Sequence, residues 1–203
     1  MKNNESGRSM IEMLGVLAII GVLSIGGLAG YSKAMGKYKI NKTTDQITQI
    51  VASTRALFAG HNNYGALTKN NTMNINLIKK GRLAPDEMIS SDGTSLENAY
   101  AYGVTLSPSG KRAATDNKAF VISYAGVPQD ACIELATQDW GAGMSAGLIG
   151  VCINKADMSA IIIGATPSAC KSGECCVIGK TMTVIEAANA CSGSTNTVSW
   201  KFF

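Results

Sequence analysis

The sequence predicts an α+β fold: a long N-terminal α-helix serving as a membrane or filament spine, packed against an antiparallel β-sheet head whose C-terminal region is disulfide-linked. Three observations predict it. Met13 to Tyr31 runs 19 residues without a charge. A helical pattern of apolar residues continues from Ile40 to Phe58. Six cysteines, at 132, 152, 170, 175, 176 and 191, are confined to the last 72 residues, among short runs rich in Val, Ile and aromatic side chains.

The spine comes first. As a helix rising about 1.5 Å per residue, Met13–Tyr31 covers roughly 29 Å, enough to cross a bilayer. A secretory signal has a shorter apolar region, about 7 to 15 residues, and ends at a small-x-small cleavage site. Here the run is longer and the helical pattern goes on. Ile40, Ile47, Val51 and Phe58 recur at spacings of seven or four, with Ile50 and Leu57 alongside, while Lys42, Asp45, Gln46 and Arg55 occupy other faces. One helix is expected from near Ser9 to Ala59, with Gly60 placed to stop it. Its first half must find lipid or other helices, and its second half a folded head.

The head follows. Residues 62–97 are polar and rich in Asn, Gly and Ser, which predicts a connecting loop with one or two short helices and a turn at Ser91-Asp92-Gly93. Strands are expected at Tyr100–Leu106, Ala119–Tyr124, Gly147–Ile153, Ala160–Ile163 and Thr197–Phe203. In the last, Val198, Trp200 and Phe202 alternate, which predicts one buried face. Two short helices interrupt them: Gln129–Thr137 after Pro128, and Val184–Ala190, opened by a capping box of Thr183 and Glu186.

Composition narrows the function. Charged residues are 16% and hydrophobic ones 46%, against about 25% charged in ordinary soluble domains, so part of the chain lives out of water. The 203 residues suffice for one domain plus an anchor. The net charge of +4 is scattered except for Lys33, Lys37, Lys39 and Lys42, and no nucleic-acid partner is expected. An even number of cysteines favours disulfides made in an oxidising compartment. Zinc is the rival, but its ligands come as close cysteine pairs with further pairs or histidines, and the one histidine, His61, is far from the cluster. We expect neither metal nor cofactor.

Two catalytic patterns are refused. Gly143-Met144-Ser145-Ala146-Gly147 spells G-x-S-x-G, but a hydrolase needs a strand before it, a helix after it and a later histidine, and His61 precedes it. Ser168-Ala169-Cys170-Lys171 fits S-x-x-K without its companion motifs. His61 reads as a solvent-facing residue just past the helix end. No enzymatic activity is expected.

The most informative run is Gly7-Arg8-Ser9-Met10-Ile11-Glu12, then the apolar stretch. A lone acid at the edge of a membrane segment needs a partner or a position near the interface, because at the helix centre it costs about 2.5 to 3.5 kcal/mol. Here the chain resembles the type IV prepilins: a short polar leader ending in Gly, a cut, and a glutamate as fifth mature residue in an apolar helix. Met1–Gly7 matches the leader, and Glu12 is fifth counting from Arg8. The resemblance implies a prepilin peptidase that cuts between Gly7 and Arg8 and methylates the new amine. It implies that Glu12 pairs with the N-terminal charge of a neighbouring subunit, and that inner-membrane assembly machinery builds the filament. Arg8 departs from the apolar residue usual at the first mature position.

The pattern divides the chain into a leader (1–7), a transmembrane and polymerisation half (8–31), an amphipathic half (32–60) and a head (61–203). Gly26 and Gly30 form a G-x-x-x-G pair that lets helices approach closely. Val127 to Cys132 and Trp200 resemble the larger heads of type IVb pilins, and the placement of Cys132 and Cys191 resembles their C-terminal disulfide. Cys152, Cys170, Cys175 and Cys176 have room for two more bridges, most plausibly Cys152 to one of that cluster, and the sequence leaves their pairing open. Charge bias opposes the expected topology, with Lys2 and Arg8 before the anchor and four lysines after it. The cysteines favour the head outside the cytoplasm, in the periplasm before assembly and on an extracellular filament after it. The alternatives are a pseudopilin of a type II secretion system and a membrane-anchored binding protein or enzyme with an uncleaved anchor.

Overall fold

The computed structural model describes residues 6–67, 71–141, 147–155, 157–166 and 170–203, with side chains from Met10 onward and not at 71–74. Met1–Glu5 of the expected leader, Gly143–Ala146 of the G-x-S-x-G pattern, and Ser168 and Ala169 of the S-x-x-K pattern lie outside the described residues. The chain divides into two compact units, Met1–Lys39 and Ile40–Phe203. The first is the apolar part of helix α1, which runs Ser6–Phe58.

The second unit begins with the rest of α1. After it come α2 (Asn71–Gly81), a 3-10 turn (Asp86–Met88), β1 (Leu96–Glu97), β2 (Gly103–Ser109), β3 (Ala119–Pro128), α3 (Gln129–Thr137), β4 (Leu148–Ile153), β5 (Cys175–Ile178), α4 (Val184–Ala190) and β6 (Thr195–Phe202). The strands form one sheet in the order β1-β2-β3-β6-β4-β5, antiparallel throughout. The last strand thus lies inside the sheet, between β3 and β4.

Local chemistry sets the boundaries. The strand expected from Tyr100 begins at Gly103 because Asn98 ties the preceding loop. Its Oδ1 accepts the N–H of Tyr100 (2.9 Å) and of Tyr102 (3.1 Å), and its Nδ2 donates to the Ala125 carbonyl (2.7 Å). β3 runs past Tyr124 through a bulge, where Gly126 takes φ +66° against the Tyr102 ring; a Cβ there would lie 1.9 Å from Cγ of that ring. The turn at Ser91–Gly93 forms as expected, with Gly93 N–H donating to the Ser90 carbonyl at 2.8 Å. Thr183 and Glu186 make the reciprocal capping box that starts α4.

Two expectations are corrected. Ala160–Ile163 is not a strand. Its backbone groups are spent in local turns, Ile161 N–H to Met158 O (3.1 Å) and Ile162 N–H to Ala160 O (3.1 Å), and Ile163 N–H reaches across to Lys111 O (2.9 Å). The strand that pairs with the free side of β4 is instead Cys175–Ile178. Nor does β6 bury one face only. Val198, Trp200 and Phe202 enter the main core with Ile47, Ile50, Phe120 and Tyr124, while Ser199 and Lys201 are buried on the opposite face. Met158 and Ile161 cover that face, forming a second small core with Val121, Ile149, Cys152 and Cys176.

Candidate assembly surface

In the first unit the window richest in apolar residues has a mean hydropathy of 2.2 and none of it is buried. Leu14, Leu17, Ile20, Leu23 and Ile25 are all exposed. Added Cβ atoms at Gly15, Gly21, Gly26, Gly27 or Gly30 would meet nothing within 4 Å, so the close-approach surface of the G-x-x-x-G pair is open. Fully burying a side chain such as Leu or Ile is worth about 1.5 to 3 kcal/mol. A helix displaying this many carries a large unspent drive to associate with lipid or with other helices. Glu12 is exposed at the edge of this surface. Gly7 and Arg8 lie in helical backbone one turn before it.

In the second unit the same helix turns amphipathic. Ile40, Thr43, Ile47, Ile50, Thr54 and Phe58 are buried at spacings of three or four, with Gln46 beside Ile47, the stripe that packs on a core. Thr43, Gln46 and Thr54 in this stripe are polar, and a reading of apolar periodicity passes over them. Gln46 is accommodated because its Nε2 donates to Glu87 Oε1 at 2.9 Å, and Lys42 Nζ lies 3.1 Å from Glu87 Oε2. The Gln46 hydrogen bond, then that of Lys42, holds the Glu87 carboxyl below its ordinary pKa. Further along, Arg55 Nε donates to the Phe203 carbonyl at 2.9 Å, and Lys111 Nζ sits 3.2 Å from the centroid of the Phe203 ring. His61 is exposed, edge-on to Phe58 at 5.7 Å.

The six cysteines are joined in three bridges: Cys132–Cys191, Cys152–Cys176 and Cys170–Cys175. Strand alternation accounts for the split at the adjacent pair. Cys175 points into the main core and Cys176 into the second one, where it lies directly opposite Cys152 in the β4–β5 register. Cys132 in α3 meets Cys191, the residue that ends α4, and the bridge ties the two helices together while α3 packs on β6. Among the described residues no group of three or more His, Cys, Asp or Glu is placed to hold a metal ion.

The second face of the sheet holds the least expected group. Lys201 is fully buried and its Nζ donates to the Met158 carbonyl at 2.9 Å. Burial lowers its pKa to about 8, against the opposing pull of Asp116 and Asp157. Asp116 is partly desolvated, which raises its pKa. Backbone N–H groups of Lys118, Lys111, Arg112 and Ala113 outweigh that and hold the carboxyl well below the usual range.

Residues 37–202 match the family described as PilS N terminal. The toxin coregulated pilin of Vibrio cholerae is 27% identical over 140 residues, which is 67% of this chain and 58% of that protein, so the chain spans less than two thirds of that relative's length. The major structural subunit of the bundle-forming pilus of Escherichia coli O127:H6 is 27% identical over 206 residues, 98% of this chain and 95% of that one. Two solved structures share the fold. One is a type IVb pilin from Salmonella typhi, with TM-score 0.52 and 21% identity, covering 81% of this chain and 97% of that one. The other is TcpA, a type IV pilin from the Vibrio cholerae El Tor biotype, with TM-score 0.53 and 16% identity, covering 82% and 99%.

Proposed function

This chain belongs to the PilS N terminal family of type IV pilins, most like the IVb kind, and on that premise we propose that it works as the structural subunit of a pilus. One observation carries the reading: a helix whose first half is wholly exposed and apolar continues into a head that buries its second half. The work is mechanical rather than catalytic. The apolar half holds the subunit in the inner membrane with the head in the periplasm. It then packs with copies of itself as the core of an extracellular filament, helped by inner-membrane assembly machinery.

A prepilin peptidase cuts between Gly7 and Arg8, and the new amine is the positive partner for Glu12 of a neighbouring subunit. The support is electrostatic: a carboxylate taken into an apolar bundle is tolerated only when paired. Arg8 brings a second positive charge to the same place.

The mass of the native protein, measured without reductant, tests the processing. It should correspond to a chain starting at Arg8 with three disulfides, and any other first residue overturns the proposed cut. Glu12→Ala tests assembly: filaments seen by electron microscopy should vanish while the head keeps its circular dichroism spectrum.

A further inference from the structure

The residues where α1 leaves its apolar run combine two kinds of side chain that favour a membrane surface. Tyr31 and Tyr38 are 64% and 57% exposed, and Lys33 and Lys37 between them are exposed as well. Tyrosine is enriched at headgroup depth, and lysine near a helix end extends its charge to the interface. Lys33 and Lys37 are four apart, so they stand one above the other on a single helix face.

Distance separates these lysines from their neighbours. On a rise of about 1.5 Å per residue, Lys33 lies about 3 Å and Lys37 about 9 Å beyond Tyr31 along the axis. Helical side chains lean toward the N-terminus, which here points back to the apolar segment and brings both ammonium groups closer to its edge. Both therefore fall within roughly one Debye length, about 8 Å at physiological salt, of a headgroup plane at Tyr31. Lys39 starts about 12 Å away. Lys42 is farther still, about 16 Å away.

We infer that Tyr31, Lys33, Lys37 and Tyr38 form a collar that binds anionic phospholipid headgroups while the subunit waits in the membrane. The inference rests on the membrane-anchored reading above and adds the lipid class. It also gives a role to a charge order that works against the positive-inside tendency: the lysines after the anchor bind the leaflet they face. Anionic lipid around the collar makes the subunit harder to withdraw into a filament, because those contacts must be given up.

The test uses the full chain reconstituted into bilayers of equimolar phosphatidylethanolamine and phosphatidylglycerol, with retained lipids counted by native mass spectrometry. Phosphatidylglycerol should be enriched over phosphatidylethanolamine, and Lys33→Gln and Lys37→Gln should each reduce that enrichment about fivefold. Lys42→Gln should leave it unchanged. A chain that floats with the bilayer but keeps the two lipids in their bulk ratio overturns the collar alone, as does a K33Q/K37Q chain that still selects phosphatidylglycerol. A chain that does not float overturns the anchored reading and the collar with it.

Discussion

Leu14 and Leu23 in the first half of α1 are 63% and 68% exposed, whereas Ile47 and Ile50 in the second half are 0% and 1% exposed. Both stretches are helical, and both use aliphatic side chains at helical spacing. They differ in where their partners come from. The second half finds its partners in its own chain, Phe120, Tyr124 and Trp200 among them. In the first half the aliphatic side chains from Leu14 to Leu28 stay exposed. One helix therefore joins a unit that is complete by itself to a unit that is completed by copies or by lipid. Stability and assembly should then respond to different substitutions.

The largest effect expected is the loss of filaments in Glu12→Ala, with the unfolding midpoint of the head unchanged in urea. If the head lost stability as well, the two regions would not be independent. Next comes the removal of Cys132–Cys191 by a double serine substitution. The bridge closes a separation of 59 residues, and the chain-entropy argument puts its loss at about 4 kcal/mol of head stability, measured by urea unfolding without reductant. Thr183→Ala removes the capping box at α4 and should cost about 1 kcal/mol in the same assay, with no change in membrane insertion.

The last effect is confined to alkaline pH. Lys201 has a folded pKa lowered to about 8 by burial. The unfolded chain keeps that amine protonated up to its ordinary pKa, so it binds more protons than the folded chain above about pH 8, and stability should rise with pH there. Burial raises the pKa of Tyr100 to about 12 and that of Tyr124 higher still. Those phenols ionise more easily in the unfolded chain and reverse the slope above about pH 10. Lys201→Met should flatten the rise between about pH 8 and 10 in a thermal-melt series. A slope that survives the substitution would place its source elsewhere.

The long helix was legible in the sequence because apolar periodicity and an uncharged run are direct records of what a helix must bury. α3 and α4 were legible to the residue, since Pro128 and the Thr183–Glu186 box are local signals that need no tertiary partner. The failures share a cause. Ala160–Ile163 and Cys175–Ile178 both present apolar β-formers, and only the sheet decides which of them pairs with β4 and which covers its far side. The burial of Lys201 was invisible for the same reason, because an alternating strand does not announce whether its second face will be covered. At the candidate assembly surface, Glu12 stood out by its position in an apolar run. The partner proposed for it belongs to a neighbouring subunit, and only the resemblance points to it in the sequence.

The place of β6 has a consequence for how a subunit matures. Phe120–Pro128 and Leu148–Ile153 each bond to this strand on opposite sides, so before it arrives the head is two separate β-ribbons with open inner edges. Thr195–Phe202 closes both gaps at once, and Phe203 then reaches Arg55 back on α1. Completion of the sheet therefore waits on this one strand, the last of the six in chain order. A head lacking Thr195–Phe202 would keep two open sheet edges, each a template for pairing with another chain.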